Sequence, residues 1–240
     1  MNLHRSDISK LAHTYGIPSR ETLLLLAHVL ATDYTSLFFS NKIHISEDEY
    51  RIFLDCIKRH SIGEPIAKII GKKEFYGLEF KTTRDTLDPR PETEMIIDLF
   101  REKYPDDSAH LDILDLGAGT GCIGITLLTL YPRATCTFVD IDEKALAVAR
   151  YNASALRLLS RSSFTLSDWF SNIESRRFDV IVTNPPYVRD DFELKGGVLF
   201  DPPVALFGGP DGQRDIHTIL RQSPIYLKEN GVLIMEGLEC

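Results

Sequence analysis

Asn184-Pro185-Pro186-Tyr187 follows the apolar run Phe178–Thr183 and contains the residue types best suited to chemistry. Two prolines stiffen the backbone and remove two N–H donors. The Asn184 side-chain carbonyl and the Pro185 backbone carbonyl can together accept both hydrogens of a planar –NH2 group, and Tyr187 can stack on the flat group carrying it. The nitrogen of a carboxamide or an exocyclic base amine has a delocalised lone pair and is a weak nucleophile. Two aimed acceptors orient it and favour pyramidalisation as charge develops, so the stabilisation appears mainly in the transition state. Holding the nitrogen in line with an electrophile supplies the rest. This chemistry needs no metal and no covalent enzyme intermediate, and the proton can leave after transfer. The competing reading of the four residues is a rigid proline turn after a strand.

An electrophile needs its own site. Asp115-Leu116-Gly117-Ala118-Gly119-Thr120-Gly121 follows an apolar strand and opens a helix. Glycines at alternate positions let the backbone turn sharply and approach a ligand. Asp140 ends the next expected strand, 21 residues past Gly119, where a ribose diol would need an acceptor. Gly119-x-Gly121-x-x-Gly124 also fits the dinucleotide fingerprint of a nicotinamide oxidoreductase. However, Asp115 stands where a pyrophosphate would approach; its charge disfavours phosphates and favours an ammonium or a sulfonium. S-adenosylmethionine carries both, with a ribose for Asp140. The expected donor site is Gly117, Ala118, Gly119, Thr120, Gly121 and Asp140, with Asn184 counted among its residues as well. In Asp168-Trp169-Phe170, Asp168 is a candidate acceptor for an adenine amine and Trp169 a candidate stacking partner, while Phe170 reads as core.

The elements that must position these residues alternate from residue 111 onward. Strands are expected at Ile113–Leu116, Thr135–Asp140, Phe164–Leu166, Val180–Thr183 and Val232–Met235, and helices near 121–130, 142–158 and 213–227. The alternation predicts an α/β fold, an open parallel Rossmann-like sheet with helices on both faces. The first 60 residues read as helices: Leu3, Ile8, Leu11, Ala12 and Tyr15 at helical spacing, a second helix from Pro18-Ser19 to about Leu30, and a third behind a Ser46/Glu49 capping box. Ile66, Ile69-Ile70 and Glu74–Phe80 read as two strands joined through glycines. Pro91 suits the first position of a helix, with Glu92 and Glu94 complementing its positive end. The expected domains are a helical unit at 1–64, a hairpin linker at 65–88 and a catalytic domain at 89–240.

Composition narrows the partners. The chain has 240 residues, 43% of them apolar and 26% charged, an ordinary globular balance. Its longest tight apolar cluster is Leu23–Ala27, far short of a membrane span, and the N-terminus has no signal-peptide pattern. Cys56, Cys122, Cys136 and Cys240 stand far apart and suit a reducing cytoplasm as small core residues. The seven histidines show no ligand-like cluster. Residues 86–240 carry 15 Lys and Arg against 24 Asp and Glu, a net of −9. That balance opposes binding to a phosphate backbone, so no direct nucleic-acid partner is expected.

Five blocks together resemble the PrmC/HemK family, the peptide chain release factor N5-glutamine methyltransferases. They are Gly63–Ile66 with Gly71–Leu78, Pro89–Glu94, Asp115–Gly121, Asn184–Tyr187 and Asp201–Gly212. Asn-Pro-Pro-Tyr alone is shared with nucleic-acid adenine methyltransferases; Phe75-Tyr76-Gly77 and Pro89–Glu94 are more specific. The resemblance implies a class I S-adenosylmethionine-dependent methyltransferase domain behind a helical substrate-binding domain and a hairpin. It also implies a glutamine substrate in the Gly-Gly-Gln loop of release factors. Carried over by motif, Gly117–Gly121, Asp140 and Trp169 hold the donor, and Asn184, Pro185, Pro186 and Tyr187 hold the amide, with Phe75 and Arg90 lining the pocket or bracing the linker. Asp88 replaces an aliphatic residue, and the family's Ile between the equivalents of Glu236 and Gly237 is absent. A further helix and a C-terminal strand pair are also missing, which is expected to leave 232–235 as a sheet edge, with reduced stability or a dimer. The alternatives are an adenine-N6 methyltransferase and a shortened, catalytically impaired S-adenosylmethionine-binding protein.

Overall fold

The computed structural model describes residues 1–174 and 176–237 and resolves into two compact units. One comprises residues 1–71 with 195–200, the other 72–194 with 201–240.

The first unit runs β1 (Asn2–His4), α1 (Arg5–Tyr15), α2 (Ser19–Val29), α3 (Tyr34–Phe39), β2 (Lys42–His44), α4 (Glu47–Ser61) and α5 (Ile66–Ile70). Leu25, Leu26, Phe53 and Ile57 are fully buried at its centre. The Ser46/Glu49 capping box opens α4 as expected, and Pro18 caps α2. Two readings are corrected. Leu3 is in a strand, where it pairs antiparallel with Ile43. Ile66, Ile69 and Ile70 lie on a short helix: Pro65 stands at its N-cap, and Gly71 ends it in the left-handed conformation (φ 74°).

The second unit begins with the hairpin β3 (Lys72–Phe75) and β4 (Leu78–Lys81). Its two turn residues, Tyr76 and Gly77, both have positive φ (49° and 75°), matching the twist of the strands. Pro91–Thr93 forms a 3-10 turn that leads into α6 (Glu94–Lys103). Then come β5 (Asp112–Leu116), α7 (Cys122–Leu130), β6 (Thr135–Asp140), α8 (Glu143–Ala155), β7 (Ser162–Leu166), β8 (Phe178–Thr183), α9 (Arg214–Tyr226) and β9 (Leu227–Met235). The five strands β5–β9 form one parallel sheet in the order β7-β6-β5-β8-β9.

Strands β5 and β8 are apolar on both faces, as a sheet covered on both sides requires. Ile113, Val180 and Val182 pack with Phe100 and Ile125 on one face; Leu114, Leu116 and Ile181 pack with Ile219 on the other. The chain leaves β5 toward β6 and β7, then returns to β8 on the opposite side. That reversal opens a crevice at the carboxyl ends of β5 and β8, where open α/β sheets bind ligands. Cys56, Cys122 and Cys136 are buried free thiols, and Cys240 lies outside the described residues. Among the described residues no helix is long and apolar enough to cross a membrane, and no group of His, Cys, Asp and Glu could hold a metal.

Candidate active site

A cavity of about 450 Å³ opens at this crevice. Its wall includes Gly117–Thr120, Asp140, Asp168, Trp169, Thr93, Asn184 and Pro186. The glycine loop and the Asn-Pro-Pro-Tyr segment are thus brought together, as the sequence reading required.

The loop is held by its neighbours. Ala118 N–H donates to the Val139 carbonyl at 2.9 Å, and Gly119 N–H donates to Asp140 Oδ2 at 2.8 Å. Asp140 Oδ1 accepts from Asp142 N–H at 3.0 Å. Each carboxylate oxygen retains a further lone pair for a diol. Burial pushes the Asp140 carboxyl up from its ordinary value, and the Asp142 and Gly119 N–H groups oppose this. Gly119 has φ 55°, and a Cβ there would meet no atom outside its chain neighbours within 4 Å, so the loop leaves open space for a ligand. Gly121, by contrast, serves packing: a Cβ would meet Ile125 Cδ1 at 2.9 Å.

Asp115 is not where the sequence reading set it. It is 1% exposed, is absent from the cavity wall, and points under the loop to accept from Gly124 N–H at 2.9 Å. Its Oδ1 has no hydrogen-bond partner among the described residues. Burial pushes its carboxyl up to about 8. The electrostatic argument against a pyrophosphate therefore fails for Asp115, which ties strand β5 to helix α7 instead.

Trp169 is in the wall at φ 45°, with its ring over Gly117, where an added Cβ would lie 3.5 Å from the indole. The indole N–H donates to Asp215 Oδ1 at 3.1 Å, and Arg214 Nη2 donates to the other oxygen at 2.8 Å. Asp168 is exposed at the rim and Phe170 is core, as expected. Arg90 is in the wall, pinned to buried Asp201 at 2.5 Å, whereas Phe75 is 1% exposed and packs in the core.

Asn184 Nδ2 donates to Thr93 Oγ1 at 3.0 Å. Thr93 donates in turn to Glu236 Oε2 at 2.6 Å, and the Tyr187 hydroxyl donates to Glu236 Oε1 at 3.3 Å. Burial, and then the Glu236 charge, push the Tyr187 hydroxyl up from its ordinary value, so it stays a donor. Pro185 is buried, and neither Pro185 nor Tyr187 is among the lining residues. Behind the motif, a Cβ on Gly208 would lie 2.5 Å from the Pro186 carbonyl oxygen. A Cβ on Gly212 would likewise lie 2.3 Å from the Tyr187 carbonyl oxygen, so the backbone at Gly208 and Gly212 seats directly on the motif.

Residues 8–71 match the family model described as PrmC N-terminal domain, and residues 85–198 match the Methyltransferase small domain. A release factor glutamine methyltransferase of Buchnera aphidicola subsp. Acyrthosiphon pisum is 38% identical over 97% of this chain and 83% of its own length. This chain belongs to the release factor glutamine methyltransferase family. The family's enzyme from Cereibacter sphaeroides is also 38% identical, over 91% of this chain and 77% of its own. A bifunctional methyltransferase of Rickettsia prowazekii is 33% identical over 92% of this chain and 46% of its own length.

The cavity fits the family's cofactor, S-adenosylmethionine. It is of ordinary size for a ligand site, with an open glycine cradle, a carboxylate with free lone pairs and an indole face. Sequence reasoning missed Thr93, Asp215 and Glu236 as parts of the site. Thr93 was visible inside the Pro89–Glu94 block, but nothing local marks Asp215 or Glu236, whose partners are distant in sequence.

Proposed function

We propose that this chain transfers the methyl group of S-adenosylmethionine to the side-chain amide nitrogen of a glutamine in the Gly-Gly-Gln loop of peptide chain release factors. The observation that supports it most is the orientation of Asn184. With its –NH2 donated to Thr93, its carbonyl is left to accept from a substrate amide in the cavity. S-adenosylmethionine, when bound, supplies a methyl group on a positively charged sulfur.

The protein's own residues do the remainder. Gly117–Thr120 and Asp140 hold the nucleoside and amino acid parts, and Trp169 presents its ring to the adenine. The Asn184 side-chain carbonyl, which faces the cavity, accepts an amide hydrogen of the substrate. This turns the nitrogen lone pair toward the methyl group and becomes stronger as positive charge develops on nitrogen. The proton leaves afterward from a cationic amide, which requires no strong base in the wall. The names of the relatives and the net acidity of residues 86–240 favour a protein substrate over an adenine in nucleic acid.

The test is methyl transfer from labelled donor to three substrates: unmodified release factor, the factor with its Gly-Gly-Gln loop changed to Gly-Gly-Ala, and an adenine-rich oligonucleotide. Label on the intact factor alone is expected. Label on the oligonucleotide, or equal label on the Ala-substituted factor, would overturn the reading.

A further inference from the structure

The network behind Asn184 has a fixed polarity. A carboxylate can only accept, so Glu236 Oε2 takes the Thr93 hydroxyl proton at 2.6 Å. Having donated that proton, Thr93 Oγ1 presents only lone pairs, and its neighbour in Asn184 must be the –NH2 end of the amide, 3.0 Å away. An asparagine amide has two nearly isosteric orientations, and only one points its carbonyl at a substrate amide. The other oxygen of Glu236 accepts from the Tyr187 hydroxyl at 3.3 Å. One carboxylate therefore holds both ends of the Asn-Pro-Pro-Tyr segment. Thr93 is 2% exposed, so water does not readily replace it as the partner of Asn184.

We propose that Glu236, acting through Thr93, is a positioning residue that sets the flip state of the Asn184 amide and so determines which way its hydrogen-bonding face meets the substrate. Glu236 is absent from the cavity wall and touches no reacting atom; it acts on turnover only through Thr93 and Tyr187. The inference rests on the methyl-transfer reading above.

The test uses the full chain and the variants Thr93→Val, Thr93→Ser and Glu236→Leu, the last lacking any acceptor for the Thr93 hydroxyl. The first readout is solvent exchange of the Asn184 side-chain amide protons by nuclear magnetic resonance, with no substrate present. Slow exchange is expected in the parent and in Thr93→Ser, and fast exchange in Thr93→Val and Glu236→Leu. The second is steady-state methylation of release factor. Thr93→Val and Glu236→Leu are expected to lower kcat about tenfold, the scale of one lost buried hydrogen bond, with KM held within about threefold, while Thr93→Ser restores kcat. Thermal melting of each variant separates loss of fold from loss of orientation. Equal amide exchange in the parent and Thr93→Val, or kcat of the two impaired variants within about twofold of the parent, would overturn the proposal. A parent chain unable to methylate release factor would overturn the functional reading, and the exchange data would still decide this one.

Discussion

The Trp169 indole N–H donates to Oδ1 of Asp215, 46 residues further along the chain, at 3.1 Å. The bond holds a bulky residue at φ 45°, a conformation that side chains other than glycine rarely adopt. Trp169 is also the chain's single tryptophan, so its emission reports on the donor cavity alone. Saturable quenching is expected on addition of S-adenosylmethionine. Asp215→Ala is expected to weaken donor binding about fivefold by releasing the ring, on the scale of one ordinary net hydrogen bond. A donor affinity unchanged by calorimetry would show that the ring needs no anchor.

The two halves of the cavity should separate kinetically. Asn184→Ala removes an acceptor that matters most in the transition state, so kcat should fall by about 100-fold or more with donor affinity nearly intact. Asp140→Ala removes the acceptor that also holds Gly119, and should weaken donor binding first, by at least about tenfold. Single-turnover rates and donor titrations on both variants measure the split. An Asn184→Ala enzyme with near-parent turnover would remove the amide clamp from the mechanism.

Gly124 is required by packing rather than by the ligand. A Cβ there would meet Phe138 Cε1 at 2.6 Å, Cys136 Sγ at 2.7 Å and Asp115 Oδ2 at 2.9 Å. All three belong to the buried region between β5, β6 and α7. Gly124→Ala should destabilise the fold by about 1–3 kcal/mol, the usual cost of overpacking a core. Denaturant titration gives the value, and a loss below about 0.5 kcal/mol would mean the helix shifts freely, against the low compressibility of packed interiors.

Asp115 gives the methyltransferase unit a pH dependence of stability. Its folded-state carboxyl sits near 8, against 3.8 ordinarily, because burial opposes the charge. Asp140 is displaced in the same direction, also by burial. A raised folded value means the folded state keeps a proton that the unfolded state releases. The contribution is full below about pH 4 and is lost progressively as pH rises toward about 8. Asp115→Asn should melt less steeply with rising pH than the parent between pH 6 and about 8.5, since it cannot ionise and can still accept from Gly124. Parallel melting curves across that range would show that Asp115 is not held neutral.

The sheet was legible because β5, β6 and β8 are short apolar runs punctuated by glycine, aspartate and proline, and each carries a motif at its carboxyl end. The β1/β2 pair was not legible. Asn2–His4 has no strand pattern of its own and exists because Lys42–His44 and the Ile45 carbonyl lie beside it after folding. The short helix at Ile66–Ile70 had both its start and stop signals, Pro65 and Gly71, in view; its isoleucines also fit a strand. In the site, contiguous motifs were readable and their supports were not. Asp115 shows why: its type and position suggested a ligand contact, and only burial reveals that it faces the helix.

The chain segments that build the cavity differ in how far apart they lie along the sequence. The donor cradle comes from a continuous β5-α7-β6 stretch, Asp112 to Asp140. The orientation of Asn184 depends on Thr93 and Glu236, 143 residues apart, and Glu236 follows β9, the last strand of the sheet. The donor loop is thus braced within one short stretch of chain, while the face that meets the acceptor amide is set by side chains from opposite ends of the catalytic unit.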